Sequence, residues 1–277
     1  MTSTPTLLCV HAHPDDEALF TAGIEAHYAK RGVRQVLVTC TVGQLGFDSD
    51  GVGSDDPRHD PDRVAAERVV ELQTSCDILG IDRLEVLGYR DSGMAGWAAN
   101  DAPEAFVQQS IEEASARIAE VIKEERPQVV VTYASDGFYG HPDHIHTHRA
   151  TMAAVAATEG IVEKVYFVAM PKTAIEGFLV LAKESGMELP EWLDGELIFG
   201  TEDDLVQTVV DCSDVVRLKH QALAAHASQV DNADLVGMDD ELFDAVFSVE
   251  MFVRGFDTTG SPLPETDLFA GTGVEFS

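Results

Sequence analysis

The tightest constraint on this fold is a series of short, nearly unbroken apolar runs separated by helix-like stretches. Residues 7–10, 35–41 and 129–133 are rich in β-branched and aliphatic side chains and scarcely alternate between polar and apolar. Strands of that kind are buried on both faces, as in a parallel sheet with helices packed on each side. Residues 84–87 and 165–169 read as two further strands. Helical spacing is predicted over 17–30, where Leu19, Ile24, Ala26 and Tyr28 are packing candidates and Gly32 stands just past the end. It recurs over 63–79, 106–125 and 145–159, with loops at 43–62 and 88–103. Strand-helix alternation at this spacing predicts an α/β fold, a Rossmann-like, mostly parallel sheet flanked by helices. After about residue 170 the rhythm breaks. Residues 215–227 look helical, and the tail from Gly255 is polar and glycine-rich. The reading is one domain over 1–277, with a core over about 1–170 and an irregular C-terminal cap over about 171–277.

Two of the strands run into dense chemistry. After the first come His11, His13, Pro14, Asp15, Asp16 and Glu17; after the 129–133 strand come Tyr139, His141, Pro142, Asp143 and His144. Imidazole and carboxylate are ligands for divalent metals, and open α/β sheets bind ligands beyond the carboxyl ends of their strands. His11 and His13 are two apart, so on a strand end they point the same way. Asp15 and Asp16 are adjacent and diverge, which lets one bind a metal while the other faces water. A helix beginning near Asp143 would hold His144 in its first turn, and His146 and His148 could not both share its face. Either run alone has the composition of an ordinary histidine-bearing loop. The pair is more specific, because both follow apolar strands, and the expectation is that they meet in one metal site.

Charge and cysteine usage narrow the partners. Eighteen Lys and Arg against 49 Asp and Glu give a formal charge of -31. Such a surface disfavours nucleic acid and anionic membranes, leaving a small-molecule substrate and room for a homo-oligomer. No run of about 18 apolar residues is present to cross a membrane, and residues 1–5 lack the features of a secretory signal. Cys9, Cys40, Cys76 and Cys212 are widely spaced, which predicts free, buried thiols and a cytoplasmic setting. Gly51-Val52-Gly53 is no dinucleotide fingerprint, since no strand precedes it. Asp48-Ser49-Asp50-Gly51 lacks the glutamate at position 12 of a calcium loop and reads as a solvated loop.

The run from His13 to Glu17, with His141-Pro142-Asp143-His144, resembles the PIG-L/LmbE-like family of zinc-dependent N-deacetylases. The likeness is nearest to the mycothiol-type branch, which holds the N-acetylglucosaminyl-inositol deacetylases and the mycothiol S-conjugate amidases. Arg68, Glu71-Leu72, the stretch from Tyr89 to Met94, and His226-Ala227-Ser228-Gln229 extend it. The resemblance implies one Zn2+ (Fe2+ accepts the same donors) held by His13, Asp16 and His144. Asp15 would be the general base. His141 would stabilise the oxyanion or protonate the amine, oriented by Asp143, and Tyr139 would reach the substrate carbonyl. Arg68, Asp91 and Met94 would contact an N-acetylated sugar or thiol-conjugate substrate, although Arg68 could instead pair with Glu71 and Asp91 could cap a turn. His11 is expected to be structural, and His146, His148 and His226 to pack or hydrogen-bond. The chain departs from the family at Gln44, where glutamate is usual, and at Phe47, where the branch tends to an acid. With Leu45 and the loop over 48–62, this suggests a more apolar lip. A non-catalytic, metal-dependent sugar-binding protein is the alternative of another class.

Overall fold

The computed structural model describes residues 4–185 and 200–276. Residues 1–3, part of the stretch read as lacking a signal, lie outside the described residues, as do 186–199 of the expected cap. Seven strands form one sheet: β1 (Thr6–His11), β2 (Arg34–Thr41), β3 (Arg83–Tyr89), β4 (Val129–Thr132), β5 (Lys164–Ala169), β6 (Thr208–Asp211) and β7 (Val249–Asp257). Their spatial order is β3-β2-β1-β4-β5-β7-β6. The first five are parallel, and β7 runs antiparallel between β5 and β6. From β1 the chain moves outward through β2 and β3, then returns to β4 on the other side. The strand order therefore reverses between β1 and β4, the place where an open α/β sheet leaves a crevice.

Helices cover both faces: α1 (Asp16–Phe20), α2 (Ala22–Lys30), α3 (Pro61–Leu79), α4 (Ile111–Glu125), α5 (Gly137–Gly140), α6 (Pro142–Ala157), α7 (Lys172–Ser185), α8 (Val216–Ala225), α9 (Ala233–Val236) and α10 (Asp240–Phe247). Alternate residues of each strand serve opposite faces. Leu7, Cys9, Leu37 and Val131 join Ile24, Tyr28, Leu72 and Leu223 in one core. Leu8, Val10, Val38 and Val130 join Ile118, Ile122, Ala150 and Ala154 in the other. Each fully buried aliphatic side chain contributes about 1.5–3 kcal/mol. All four cysteines are free and buried, and among the described residues no helix is long and apolar enough to cross a membrane.

Three expected elements differ from the sequence reading. The helix expected over 17–30 is two helices, broken at Thr21, whose φ is -135°. The Thr21 hydroxyl bonds His11 Nε2 at 2.7 Å, and the Glu250 carboxylate accepts the N–H groups of Gly23 and Ile24, each at 2.8 Å. A distant strand thus caps the second helix. The helix expected from 106 begins at Ile111, after a separate turn over Phe106–Gln108, with Ser110 accepting the Glu113 N–H as N-cap. The helix expected from 145 begins earlier, with Pro142 in its first turn and His141 as N-cap.

The region after residue 170 is more ordered than an irregular cap. It adds β6 and β7 to the same sheet and places Leu268 and Phe269 of the polar tail in the core. In β6, Thr208 and Val210 are buried while Val209 and Asp211 face out, the alternation of an antiparallel edge strand.

Candidate active site

The crevice between β1 and β4 receives both chemistry-bearing runs. Beyond His11 the chain turns through Pro14 into Asp15, at φ 112° and ψ -22°, and α1 begins at Asp16. Beyond β4, Tyr133 is fully buried, and the following loop passes through Phe138 at φ 70°. Asp15 and Phe138 are two of three non-glycine residues with positive φ among the described residues. Backbone strain of this kind collects where function demands it.

His13, Asp16 and His144 converge. His13 Nδ1 lies 3.3 Å from His144 Nε2 and 3.3 Å from Asp16 Oδ2, and His144 Nε2 lies 3.4 Å from Asp16 Oδ1. The partners of the other ring nitrogens set the tautomers. His13 Nε2 faces the Asp143 carboxylate at 3.2 Å, and His144 Nδ1 faces the Gly137 carbonyl at 3.2 Å, so these nitrogens carry the protons. Two imidazole lone pairs and a carboxylate are left pointing at one place. Ligands about 2.05 Å from a tetrahedral zinc stand about 3.3 Å apart, so the spacing fits such an ion. Asp16 is locked by the His13 N–H and the Tyr133 hydroxyl, both at 2.7 Å. His141 also offers a nitrogen within 4.8 Å of those of His13 and His144.

The electrostatics favour a cation. Burial would lower His13, but the carboxylates of Asp91, Asp143 and Asp16 outweigh it and hold the imidazole well above the usual histidine range. Burial would raise Asp16, yet the neighbouring His144 and His13 keep it well below the carboxylate range. His141 is pushed down to about 2 by burial and by His13 and His144. Its Nδ1 accepts the Asp143 N–H at 3.1 Å, so the neutral ring carries its proton on Nε2.

Asp143 serves two rings, His141 through its N–H and His13 through its carboxylate. Its carboxylate does not orient His141; it holds His13 Nε2, and is itself held by Ser92 through the hydroxyl at 2.5 Å and the N–H at 2.9 Å. A carboxylate behind a metal-binding histidine fixes ring orientation and raises ligand basicity. Asp91 sits nearby, with Oδ1 at 3.6 Å from His13 Nε2 and accepting the Gly93 N–H. His13, Asp91 and Asp143 also lie close enough to hold an ion, but hydrogen bonds from Ser92, Gly93 and the His13 ring already fill that side.

Arg68 is buried and does not pair with Glu71. Its Nη2 meets Asp15 Oδ1 at 3.0 Å and the Pro14 carbonyl, and its Nη1 donates to the Gly43 carbonyl at 2.7 Å. A Cβ on Gly43 would sit 2.4 Å from Nη1, so only glycine admits the guanidinium. Glu71 binds Ser228 instead. Burial, with Asp16 alongside, raises the Asp15 carboxyl despite Arg68 and His226. Asp48, in the loop expected to be solvated, is instead buried, engaged by Arg63 and by the N–H groups of Asp50 and Val52. Tyr139, Met94 and Trp97 are part-exposed, and the Tyr139 ring lies 5.0 Å from that of His144. His148 bonds the Tyr133 carbonyl and His146 packs on Phe106.

Sequence reasoning missed Tyr133, Ser92 and the Glu17–His226 pair. Tyr133 carried one signal, as the residue leaving a buried strand. Ser92 and His226 lie in stretches that carry the resemblance, but spacing could not reveal their partners, which are 51 and 209 residues away.

Comparison with known proteins agrees with this geometry. Residues 8–155 match the PIG-L family, described as GlcNAc-PI de-N-acetylase. A 1D-myo-inositol 2-acetamido-2-deoxy-alpha-D-glucopyranoside deacetylase of Acidothermus cellulolyticus is 37% identical, over 97% of this chain and 96% of its own. Among solved structures, the N,N'-diacetylchitobiose deacetylase of Pyrococcus horikoshii superposes with TM-score 0.52 at 21% identity, over 86% of this chain and 73% of its own. The 4-carboxy-2-hydroxymuconate hydratase of Pseudomonas putida KT2440 gives TM-score 0.59 at 18% identity, over 94% of this chain and all of its own. Likeness at that level shows the fold alone, and the fold serves more than one reaction. Matched over more than half its length and across nearly the whole of a curated relative, this chain belongs to the PIG-L family of de-N-acetylases.

Proposed function

We propose that this chain is a metal-dependent hydrolase that removes the acetyl group of an N-acetylglucosaminyl-inositol, with zinc as the resident ion. The near full-length likeness to a deacetylase of that substrate supports the reaction. The observation that carries it is the triangle of His13 Nδ1, His144 Nε2 and an Asp16 carboxylate, beside a second carboxylate on Asp15. Those three residues would hold the ion, which when bound supplies a Lewis acid and lowers the pKa of water to about 7.

The remaining steps belong to the chain. Asp15, raised by burial and aimed by Arg68, takes a proton from the attacking water. His141 donates its Nε2–H toward the carbonyl oxygen as negative charge gathers there, and a neutral ring suits this better than acid catalysis. Tyr139 approaches the same oxygen from the rim. As the C–N bond breaks, the proton on Asp15 passes to the departing amine, giving acetate and a free amino sugar. Asp91 and Met94 line the rim for the sugar and its aglycone, while Arg68 acts through Asp15. Four free, buried cysteines suit a cytoplasmic place of action.

The test is amine release from N-acetylglucosaminyl-inositol, measured with metal content and beside a bimane-labelled mycothiol conjugate. Turnover of the acetylated sugar is expected, and Asp15→Asn should keep its metal while losing about 10³-fold in kcat. Turnover of the conjugate alone would replace the substrate. Sugar binding without hydrolysis by the zinc-loaded protein would make this a binding protein.

A further inference from the structure

The His226-Ala227-Ser228-Gln229 stretch has no part in the chemistry above, yet it reaches the general base from the far end of the chain. His226 Nε2 lies 2.6 Å from Glu17 Oε1, which also accepts the Ser75 hydroxyl at 2.6 Å, and all three side chains are buried. The other oxygen of the same carboxylate, Oε2, accepts the Asp15 N–H at 3.0 Å. That N–H belongs to the residue at φ 112°, a conformation an aspartate holds only when its surroundings impose it.

Neighbouring contacts tie the segment to the elements around Asp15. The N–H and hydroxyl of Ser228 bond both oxygens of Glu71 on α3, the helix that carries Arg68. Gln229 Nε2 donates to the Phe47 carbonyl at 3.0 Å, and Asn232 Nδ2 lies 3.5 Å from Asp15 Oδ2. Asp15 is thereby gripped at its N–H by Glu17, at Oδ1 by Arg68 and at Oδ2 by Asn232.

We propose that Glu17 and His226 are positioning residues for Asp15, holding its backbone in the left-handed turn from which its carboxylate meets Arg68 and the attacking water. This rests on the reading of Asp15 as general base. His226 acts on Glu17, Glu17 acts on the Asp15 N–H, and neither touches substrate. If the pair were purely structural, removing it would lower stability without altering turnover per folded molecule.

The experiment uses the metal-loaded full chain and compares Glu17→Ala, Glu17→Gln, His226→Leu and His226→Gln. Kinetics, metal stoichiometry, Tm and hydrogen exchange at the Asp15 amide are read for each. Misplacing a catalytic group by about 1 Å costs on the order of 100-fold, so Glu17→Ala and His226→Leu should lose about that in kcat, with KM and metal content little changed. Glu17→Gln keeps an oxygen for the Asp15 N–H, and His226→Gln keeps a donor for Glu17, so both should recover most of the rate. The Asp15 amide should exchange faster in Glu17→Ala. Lys164→Met, which breaks a buried pair at the opposite end of the sheet, serves as the stability control. If the Glu17 and His226 variants lose Tm as that control does and keep kcat, the proposal is overturned. If Glu17→Ala does not fold, the His226 pair decides by the same criterion. Should Asp15→Asn keep full activity, the base reading falls instead.

Discussion

Two buried polar clusters occupy opposite ends of the sheet and are built on opposite rules. At the amino end of β5, Lys164 donates to Ser261 Oγ at 2.9 Å, to the Ala270 carbonyl at 2.9 Å and to Glu265. Glu265 also receives the Tyr166 hydroxyl at 2.7 Å and Arg254 Nη1 at 3.0 Å. Donors and acceptors are matched, and the cluster is complete as the chain folds. At the carboxyl ends of β1 and β4, one nitrogen each of His13 and His144 lie 3.3 Å apart, and each stands 3.3–3.4 Å from a different oxygen of the Asp16 carboxylate. That end gathers acceptors in the way a cation site would, as the proposed function requires. One cluster contributes to the fold; the other is paid for by it, in the strained turns at Asp15 and Phe138.

The contrast breaks most visibly at the metal. An outer partner of a metal-binding histidine is worth 10–100-fold in affinity, so His144→Ala, which would remove one of the proposed ligands, should lose more than about 100-fold. Metal analysis after dialysis checks this, and chelation should lower the Tm of the wild type but barely that of His144→Ala. Retained stoichiometric metal in that variant would move the site elsewhere.

The matched cluster should answer in stability alone. Lys164→Met leaves Glu265 buried with Arg254 as its remaining charged partner, at a cost of about 3 kcal/mol, while kcat per folded molecule stays unchanged. A pH series sharpens this. Burial would raise Glu265, but Lys164, Ser261 and Tyr166 bring it below the usual range. A depressed carboxylate contributes stability above its unfolded pKa of about 4.3, and that stability is lost as pH falls through the lower folded value. Without Lys164 the folded value rises, so acid destabilisation should begin at higher pH. Melting curves from pH 7 to pH 3 would show it; coincident acid limbs would contradict it.

Asp143→Asn sits between these extremes. It weakens the acceptor on His13 Nε2, so, with His13 as a ligand as proposed, metal affinity should fall about 10- to 100-fold while the fold persists. Unchanged affinity in a competition titration would show that the ring is held by packing instead.

The two ends differed in how far sequence could reveal them. The central strands were plain, because a strand buried on both faces spells itself as an unbroken apolar run. The meeting of the two histidine-bearing runs was legible too, since those runs follow β1 and β4, which flank the point where strand order reverses. What stayed hidden depends on partners remote in sequence. Glu250 breaks the first helix from 226 or more residues away, and the Asp143 carboxylate reaches His13 across 130 residues. β6 was lost because four residues of alternation are too few to separate a strand from a loop. Glu265, inside a polar, glycine-rich tail, gave no sign that it would sit beneath β5.

Gln44 offers the smallest effect and the finest discrimination. It departs from the family's usual glutamate, and the structure gives the amide two tasks. Its Oε1 accepts the Asp91 N–H at 2.8 Å and its Nε2 donates to the Asp91 carbonyl at 2.9 Å. A carboxylate can perform the first and not the second, and would set its own charge against that carbonyl. Gln44→Glu should therefore leave a buried carbonyl unpaired, at a cost of about 1 kcal/mol. The loss falls on the loop that carries Asp91, Ser92 and Met94, and not on His13, Asp16 and His144. The expected result is a rise in KM of about fivefold for the acetylated sugar, with kcat and metal content nearly unchanged. A matching fall in kcat would mean that Gln44 supports His13 through Asp91 and Ser92, and that the rim and the metal side of this site move as one body.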